Sequence, residues 1–244
     1  MGNRVLLLVG TRKGLFTFES DTTRRAWREA GPLLSSWEVT GLLGDSRHGH
    51  RLFAGTGHMA YGPMIRVSLD FGETWTQMLE SPRYPPDGGR SVHRIWQILS
   101  GTPAEPDTFF AGVDEAGFFV SRDGGRTWRH HDTLAADPSR PRWSRTQAGN
   151  PLHSLLLHPQ QPQRLWGLVG GAGVVYSGNG GVDWEFRNAG RCPGRRRRRR
   201  AECTSPGAPP APAPPCPPQI AGAASAATAS ARQRSARPDP RTGR

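Results

Sequence analysis

The residues of this 244-residue chain that could carry out chemistry fall in a few short stretches. Asp114 and Glu115 are adjacent carboxylates of the kind that act as general acid and base in glycoside hydrolysis. Arg90, Arg140, Arg142 and Arg145 could clamp a carboxylate through paired N–H donors. His58, Tyr61, His93, Trp143 and His153 add ring nitrogens and stacking surfaces. Within SRDGGRTW, residues 121–128, Ser121, Asp123 and Thr127 read either as the polar cluster of an active site or as a turn tying off its own amides. Each reading has a plain rival. Neighbouring strand-end residues point different ways, a histidine often bonds a nearby carbonyl, and arginine is the near-exclusive cation here, with Lys13 the only lysine.

Recurrence decides between the two readings of the octad. SLDFGETW, residues 68–75, repeats it in full, and SGNGGVDW (177–184) and SDTTRRAW (20–27) are eroded copies. Their closing tryptophans, Trp27, Trp75, Trp128 and Trp184, are 48, 53 and 56 residues apart. Each period holds short β-type runs between Gly-rich or Pro-rich turns, as in RLFAGTG, MIRVSLD and TWTQMLE, then TFFAGVD, GFFVSRD and TWRHH. Labelled A to D, four strands are expected in each of the last three periods and only B, C and D in the first. Four-stranded units repeating near every fifty residues predict an all-β propeller of about four antiparallel blades, the first short of a strand and the ring open. A β-sandwich is the competing arrangement.

The octad then falls between strands C and D of every blade, where a hairpin turn is required. Asp70 and Asp123 accept amide hydrogen bonds, Gly72 and Gly125 supply positive φ, Ser68, Ser121, Thr74 and Thr127 fasten the flanks, and Trp75 and Trp128 face the seam between blades. In the last copy Ser177, Gly181 and Trp184 are kept, while Asn179 and Asp183 replace the turn Asp and the Thr. SDTTRRAW keeps only Ser20 and Trp27 and predicts a looser hairpin. A catalytic site would not be copied at every repeat, whereas a corner would.

Ser-x-Asp-x-Gly-x-Thr-Trp resembles the Asp-box, or bacterial neuraminidase repeat. Asp-box propellers include sialidases, glucan hydrolases, sortilin-type receptor domains and photosystem assembly factors. Residues 1–190 resemble a bacterial sialidase-like or glycosyl-hydrolase-like group of such proteins, with LLVGTRKGLF near the start and HSLLLHPQQPQRLW opening a blade. The resemblance transfers the turn residues and no catalytic ones. Sialidases carry an Arg-Ile-Pro segment in an early blade, and MIRVS offers Arg66 without the proline.

Topology puts function at the other rim, because the B–C and D–A loops lie together there. The candidate ligand residues are His58, Tyr61, Arg90, His93, Asp114, Glu115, Arg140, Trp143 and His153, several on unusually long D–A loops. His93 and His153 are expected at equivalent places at the start of strand A in neighbouring blades. VGGAGVVYS lacks the third glycine and helix of a dinucleotide site, and GTRKGLF lacks the spacing of a phosphate loop.

Charge divides the chain at the same point as everything else. The formal net charge is +12, yet residues 1–190 carry 20 basic and 18 acidic side chains, against 12 and 2 in residues 191–244. All aromatic residues precede 190, and Cys192, Cys203 and Cys216 all follow it, giving neither a disulfide framework nor a metal-ligand spacing. The tail, with 11 prolines and the run Arg195–Arg200, is expected to be disordered, and its composition is that of GC-rich DNA read out of frame. Its rival is a polybasic tail binding nucleic acid. The apolar run Val5–Val9 is too short to span a bilayer or form a signal core, so a cytoplasmic protein is expected.

The function expected is a ligand-binding or scaffold module for an unknown small molecule, glycan or protein, without metal or cofactor. The alternatives are an exo-sialidase-type glycoside hydrolase and a polybasic-tail interaction protein.

Overall fold

The computed structural model describes residues 4–188 apart from 48, 87, 88, 132, 135, 145 and 148. Arg145, the three cysteines and the arginine run lie outside the described residues. Four antiparallel sheets follow one another in chain order. Sheet one holds β1 (Arg4–Thr11), β2 (Gly14–Asp21) and β3 (Arg28–Leu33). Sheet two holds β4 (Glu38–Asp45), β5 (Arg51–His58), β6 (Gly62–Ser68) and β7 (Thr76–Gln77). Sheet three holds β8 (Ile95–Ser100), β9 (Phe109–Val113), β10 (Gly117–Ser121) and β11 (Arg129–His131). Sheet four holds β12 (Leu152–Leu157), β13 (Leu165–Val169), β14 (Gly173–Ser177) and β15 (Glu185–Phe186). Every sheet is a simple meander, and among the described residues sheet one lacks its A strand, as the repeat pattern predicts.

Burial follows each sheet's place in the stack. Sheet three is covered on both faces, so every residue of β9 and β10, FFAGV and GFFVS, is buried. In sheet one β3 is almost wholly exposed. Between sheets one and two the core is Leu15, Val39 and Ala54; between two and three it is built on Phe53, Ile65, Ile95, Ile98 and Phe109; between three and four, on Phe118, Leu152, Leu155, Leu165 and Val175. Sheets one and four each leave an outer face exposed, and the ring is open.

A recurrent device sets how closely neighbours approach. Each A strand carries a one-residue register shift, at Val39/Gly41, Ile95/Gln97 and Leu152/Ser154. There the strand presses on a glycine of the preceding sheet's B strand. A Cβ on Gly10 would lie 2.7 Å from the Val39 carbonyl oxygen, one on Gly55 3.0 Å from Ile95 Cβ, and one on Gly112 2.3 Å from the Leu152 carbonyl oxygen. Side chains add ties across the seams: Thr40 Oγ1 donates to the Ile95 carbonyl at 2.7 Å, and Gln97 Nε2 to the Leu155 carbonyl at 3.1 Å.

The three well-formed octads share one hydrogen-bond scheme. Ser68, Ser121 and Ser177 accept the buried amides of Gly72, Gly125 and Gly181 at 2.8, 2.9 and 2.8 Å. Those glycines have φ of 91°, 89° and 87°, conformations that an L side chain resists. Each serine hydroxyl also donates to Asp70, Asp123 or Asn179. Asp70 and Asp123 in turn accept from the backbone N–H and the hydroxyl of Thr74 and Thr127. In the third octad the side-chain roles reverse: Asn179 Nδ2 donates to the Asp183 carboxylate at 2.8 Å. The indoles of Trp75, Trp128 and Trp184 each donate to the preceding glycine carbonyl at 3.1 Å. SDTTRRAW forms a different turn, held by Thr23 on Asp21, with Trp27 exposed.

Ser121→Ala removes the acceptor of a buried N–H and a donor to Asp123, so it should cost about 1–3 kcal/mol. A denaturant titration checks this: the midpoint falls with unchanged slope, and a midpoint equal to wild type would remove the serine from the fastening.

Candidate functional site

In a meander the A–B and C–D turns share one rim, so the octads stand opposite the B–C and D–A loops. On that second rim two groups of side chains assemble, of different character.

The first is an aromatic corner on sheet two. Trp37, in the short link between β3 and β4, meets His58 at the end of β5 and Tyr61 just before β6. Ring centroids lie 4.9 Å apart for Trp37–His58 and for His58–Tyr61, and Trp37 stacks on Tyr61 at 6.0 Å with 21° between planes. The Ala60 amide donates to His58 Nδ1 at 3.1 Å, which fixes the ring and leaves Nε2 to carry the proton of the neutral form. Arg66, from β6, lays its guanidinium 4.3 Å from the Trp37 centroid, a cation–π contact. Burial draws the Arg66 pKa down, and its Nε has no hydrogen-bond partner among the described residues. Tyr61 is 67% exposed, so the corner offers a reachable face on a fixed base.

The second group joins the long loop between β7 and β8 to the turn between β9 and β10. Asp114 is 4% exposed, and its Oδ1 accepts the amides of His93 and Arg94 at 2.8 and 3.1 Å. Burial raises its carboxyl pKa, against the lowering effect of those amide bonds. Tyr84 lies beneath, its hydroxyl donating to the Asp114 carbonyl at 3.1 Å, with Arg90 over its ring at 5.0 Å; burial pushes the phenol well above its ordinary pKa. Glu115 and Ala116 take φ of 61° and 59°, a left-handed turn that aims Glu115 at Arg140, whose Nη2 donates to Glu115 Oε2 at 2.7 Å.

These placements sort the expected residues. His58 and Tyr61 come together. Asp114 and Glu115 part, as neighbours at a strand end do: one serves backbone amides and the other an arginine. Trp143 is not a loop contact but core, 7% exposed, packed edge-on to Phe186 and bonded through Nε1 to Ser139 Oγ at 2.9 Å. The long D–A loop folds inward at that point and buries it. His93 and His153 are not equivalent. His153 is the extra residue of its strand's register shift, in the place of Thr40 and Trp96, whereas His93 lies two residues before Ile95. His93 is exposed, and so is His153, with Nδ1 2.9 Å from Ser154 Oγ. Sequence reasoning missed Trp37 and Tyr84, met Arg66 only as an incomplete Arg-Ile-Pro segment, and missed Glu38, which pairs with Arg94 at 3.2 Å and Arg12 at 3.5 Å. They come from separate elements and meet only in the fold.

No family model matches the chain, and no curated protein matches it. Among solved structures it is similar to the GH74 xyloglucanase from Xanthomonas campestris, with 16% identity and a TM-score of 0.50 over 74% of this chain and 27% of that one. It is also similar to YCF48 from Cyanidioschyzon merolae, with 14% identity and a TM-score of 0.50 over 78% of this chain and 55% of that one. The chain thus spans about a quarter and about half of these two lengths. No helix among the described residues is long and apolar enough to cross a membrane. Four successive antiparallel meanders and these likenesses give the chain the fold of a β-propeller with an open ring.

Proposed function

We propose that the chain is a sialidase-like Asp-box propeller that acts as a binding module, and that the corner of Trp37, His58 and Tyr61 receives a ring-bearing ligand, a glycan foremost. The observation that carries this reading is the corner itself: three rings, two from the β5–β6 hairpin and one from the link before β4, backed by Arg66 and open to solvent at Tyr61. Aromatic faces of this kind give contact area at small entropic cost, since few torsions must be fixed. The carboxylates of the same rim support binding over hydrolysis, because Asp114 is spent on amides and Glu115 on Arg140. The likeness to a xyloglucanase makes a plant glucan a sensible probe. The division into a propeller part, residues 1–190, and a basic tail, residues 191–244, belongs to the same proposal.

Titration of tryptophan fluorescence with xyloglucan oligosaccharides and with sialyllactose tests it. At least one probe should saturate the signal, and Tyr61→Ala should weaken that binding at least about tenfold. Silence with both probes, or binding indifferent to Tyr61, would remove the corner from the reading. Turnover of either probe would replace a binding module by a hydrolase.

A further inference from the structure

The exposed outer faces of sheets one and four are apolar over β1 and β2 and over β12 to β14, with Glu29 on β3 and Glu185 on β15 at their edges. Directly paired residues in an antiparallel sheet project to the same side. In sheet one the outer set is Val5, Leu7, Val9, Phe16 and Phe18, with Leu7 45% and Val9 37% exposed. In sheet four it is Leu156, Trp166, Leu168, Val174 and Tyr176, with Leu156 56% and Leu168 37% exposed. Contiguous apolar surface of this kind marks an interaction site.

The two faces are of opposite kinds, and the three internal seams show how they fit. The outer face of sheet four corresponds to the face of sheets two and three that receives the next sheet. The outer face of sheet one corresponds to the face that presses on a preceding sheet.

One residue specifies which sheet belongs against sheet four. Gly55 pairs with Gly41 just past the register shift, and Gly112 with Gln97; the same register position in sheet four pairs with Ser154 and is Leu168. Glycine stands where the following sheet brings an A strand, because any Cβ there would strike it. An ordinary four-stranded blade would drive its A strand into Leu168. Among the described residues sheet one has no A strand, and against it the leucine fills the space that strand would have taken.

We infer that two copies of the chain join head to tail, sheet four of each covering sheet one of the other. Two equal seams then close the assembly under twofold symmetry and leave no outer face bare.

Sedimentation of the full chain under reducing conditions, over a wide range of concentration, is the test. The expected mass is twice the 26.6 kDa of one chain. Leu7→Glu and Leu168→Arg each spoil both seams and should weaken association by at least about 100-fold. Both sites are exposed, so the melting of each variant should match that of the free wild-type chain. Mixing the two variants should restore the dimer, because one seam is then wild type on both sides and the other sets opposite charges together. A wild-type monomer throughout the range overturns the inference. So does a mass that rises without limit, a dimer indifferent to either substitution, or a mixture of folded variants that stays monomeric.

Discussion

Gly112→Ala detaches sheet three from sheet four. Its Cβ would lie 2.3 Å from the Leu152 carbonyl oxygen, and backbone cannot swing aside as a flexible side chain does. The seam must open, which exposes part of the core formed by Phe118, Leu152, Leu155 and Leu165. Overpacking ordinarily costs about 1–3 kcal/mol, and a collision with rigid backbone belongs at or beyond the upper end. The series is graded. Gly10→Ala meets the Val39 carbonyl at 2.7 Å and should fall next, and Gly55→Ala meets Ile95 Cβ at 3.0 Å and should be the mildest of the three. Gly57→Ala, in the same strand as Gly55, meets nothing within 4 Å and should stay within about 0.5 kcal/mol of wild type. Thermal melting followed by circular dichroism reads the series at roughly 2–4 °C per kcal/mol. If Gly112→Ala melted with Gly57→Ala, the seam glycines would have no spacing role.

Asp45→Ala should be comparably damaging, for an electrostatic reason. Asp45 is 3% exposed and accepts from Arg47 Nε at 2.8 Å and Arg51 Nη2 at 2.9 Å. The two guanidiniums reach across to sheet three, bonding the carbonyls of Thr102 and Pro106 at 3.1 and 2.7 Å, and lie about 5 Å over the Phe109 ring. Without the carboxylate the largely buried Arg47 loses its carboxylate partner and Arg51 keeps only the exposed Asp107, 3.0 Å away, and breaking such a cluster costs about 3–5 kcal/mol. Burial alone would raise the Asp45 carboxyl, but the hydrogen bonds and charges of Arg47 and Arg51 outweigh it and leave the pKa lowered. The sign follows from linkage. A carboxylate with a lowered folded pKa stabilises above its unfolded value, and that stability is lost as pH falls through the folded one. Asp70, held to about 2 by the Thr74 hydroxyl and amide and by Ser68, adds to the same acid limb. Melting temperature against pH should therefore drop steeply below the ordinary carboxylate range in wild type and less steeply in Asp45→Ala. Parallel curves would exclude Asp45 from the acid response.

What could be read in advance was what is local. The octad keeps its whole hydrogen-bond scheme within eight residues, so Ser121, Asp123, Gly125, Thr127 and Trp128 announced both a turn and, by repetition, a set of sheets. The missing A strand of sheet one was visible for the same reason. The seam glycines were not, since Gly112 takes its meaning from Leu152, forty positions later in the chain. Trp143, with polar neighbours in sequence, reads as a loop residue, although the loop turns it inward. The equivalence expected of His93 and His153 fails because His93 precedes its strand, two residues before Ile95, while His153 lies inside Leu152–Leu157, and where a strand begins leaves no trace in composition. Of the aromatic corner, His58 and Tyr61 were legible in one loop, and Trp37 and Arg66 were supplied by folding.

The octads and the aromatic corner lie at opposite ends of the same strands. Structural hardware is thereby kept at one end of each hairpin stack and chemical identity at the other. Insertions or replacements in the 78–94 and 132–151 connections leave the corner serines, glycines and tryptophans untouched. Such an arrangement lets recognition drift from one ligand to another while the architecture that presents it stays the same.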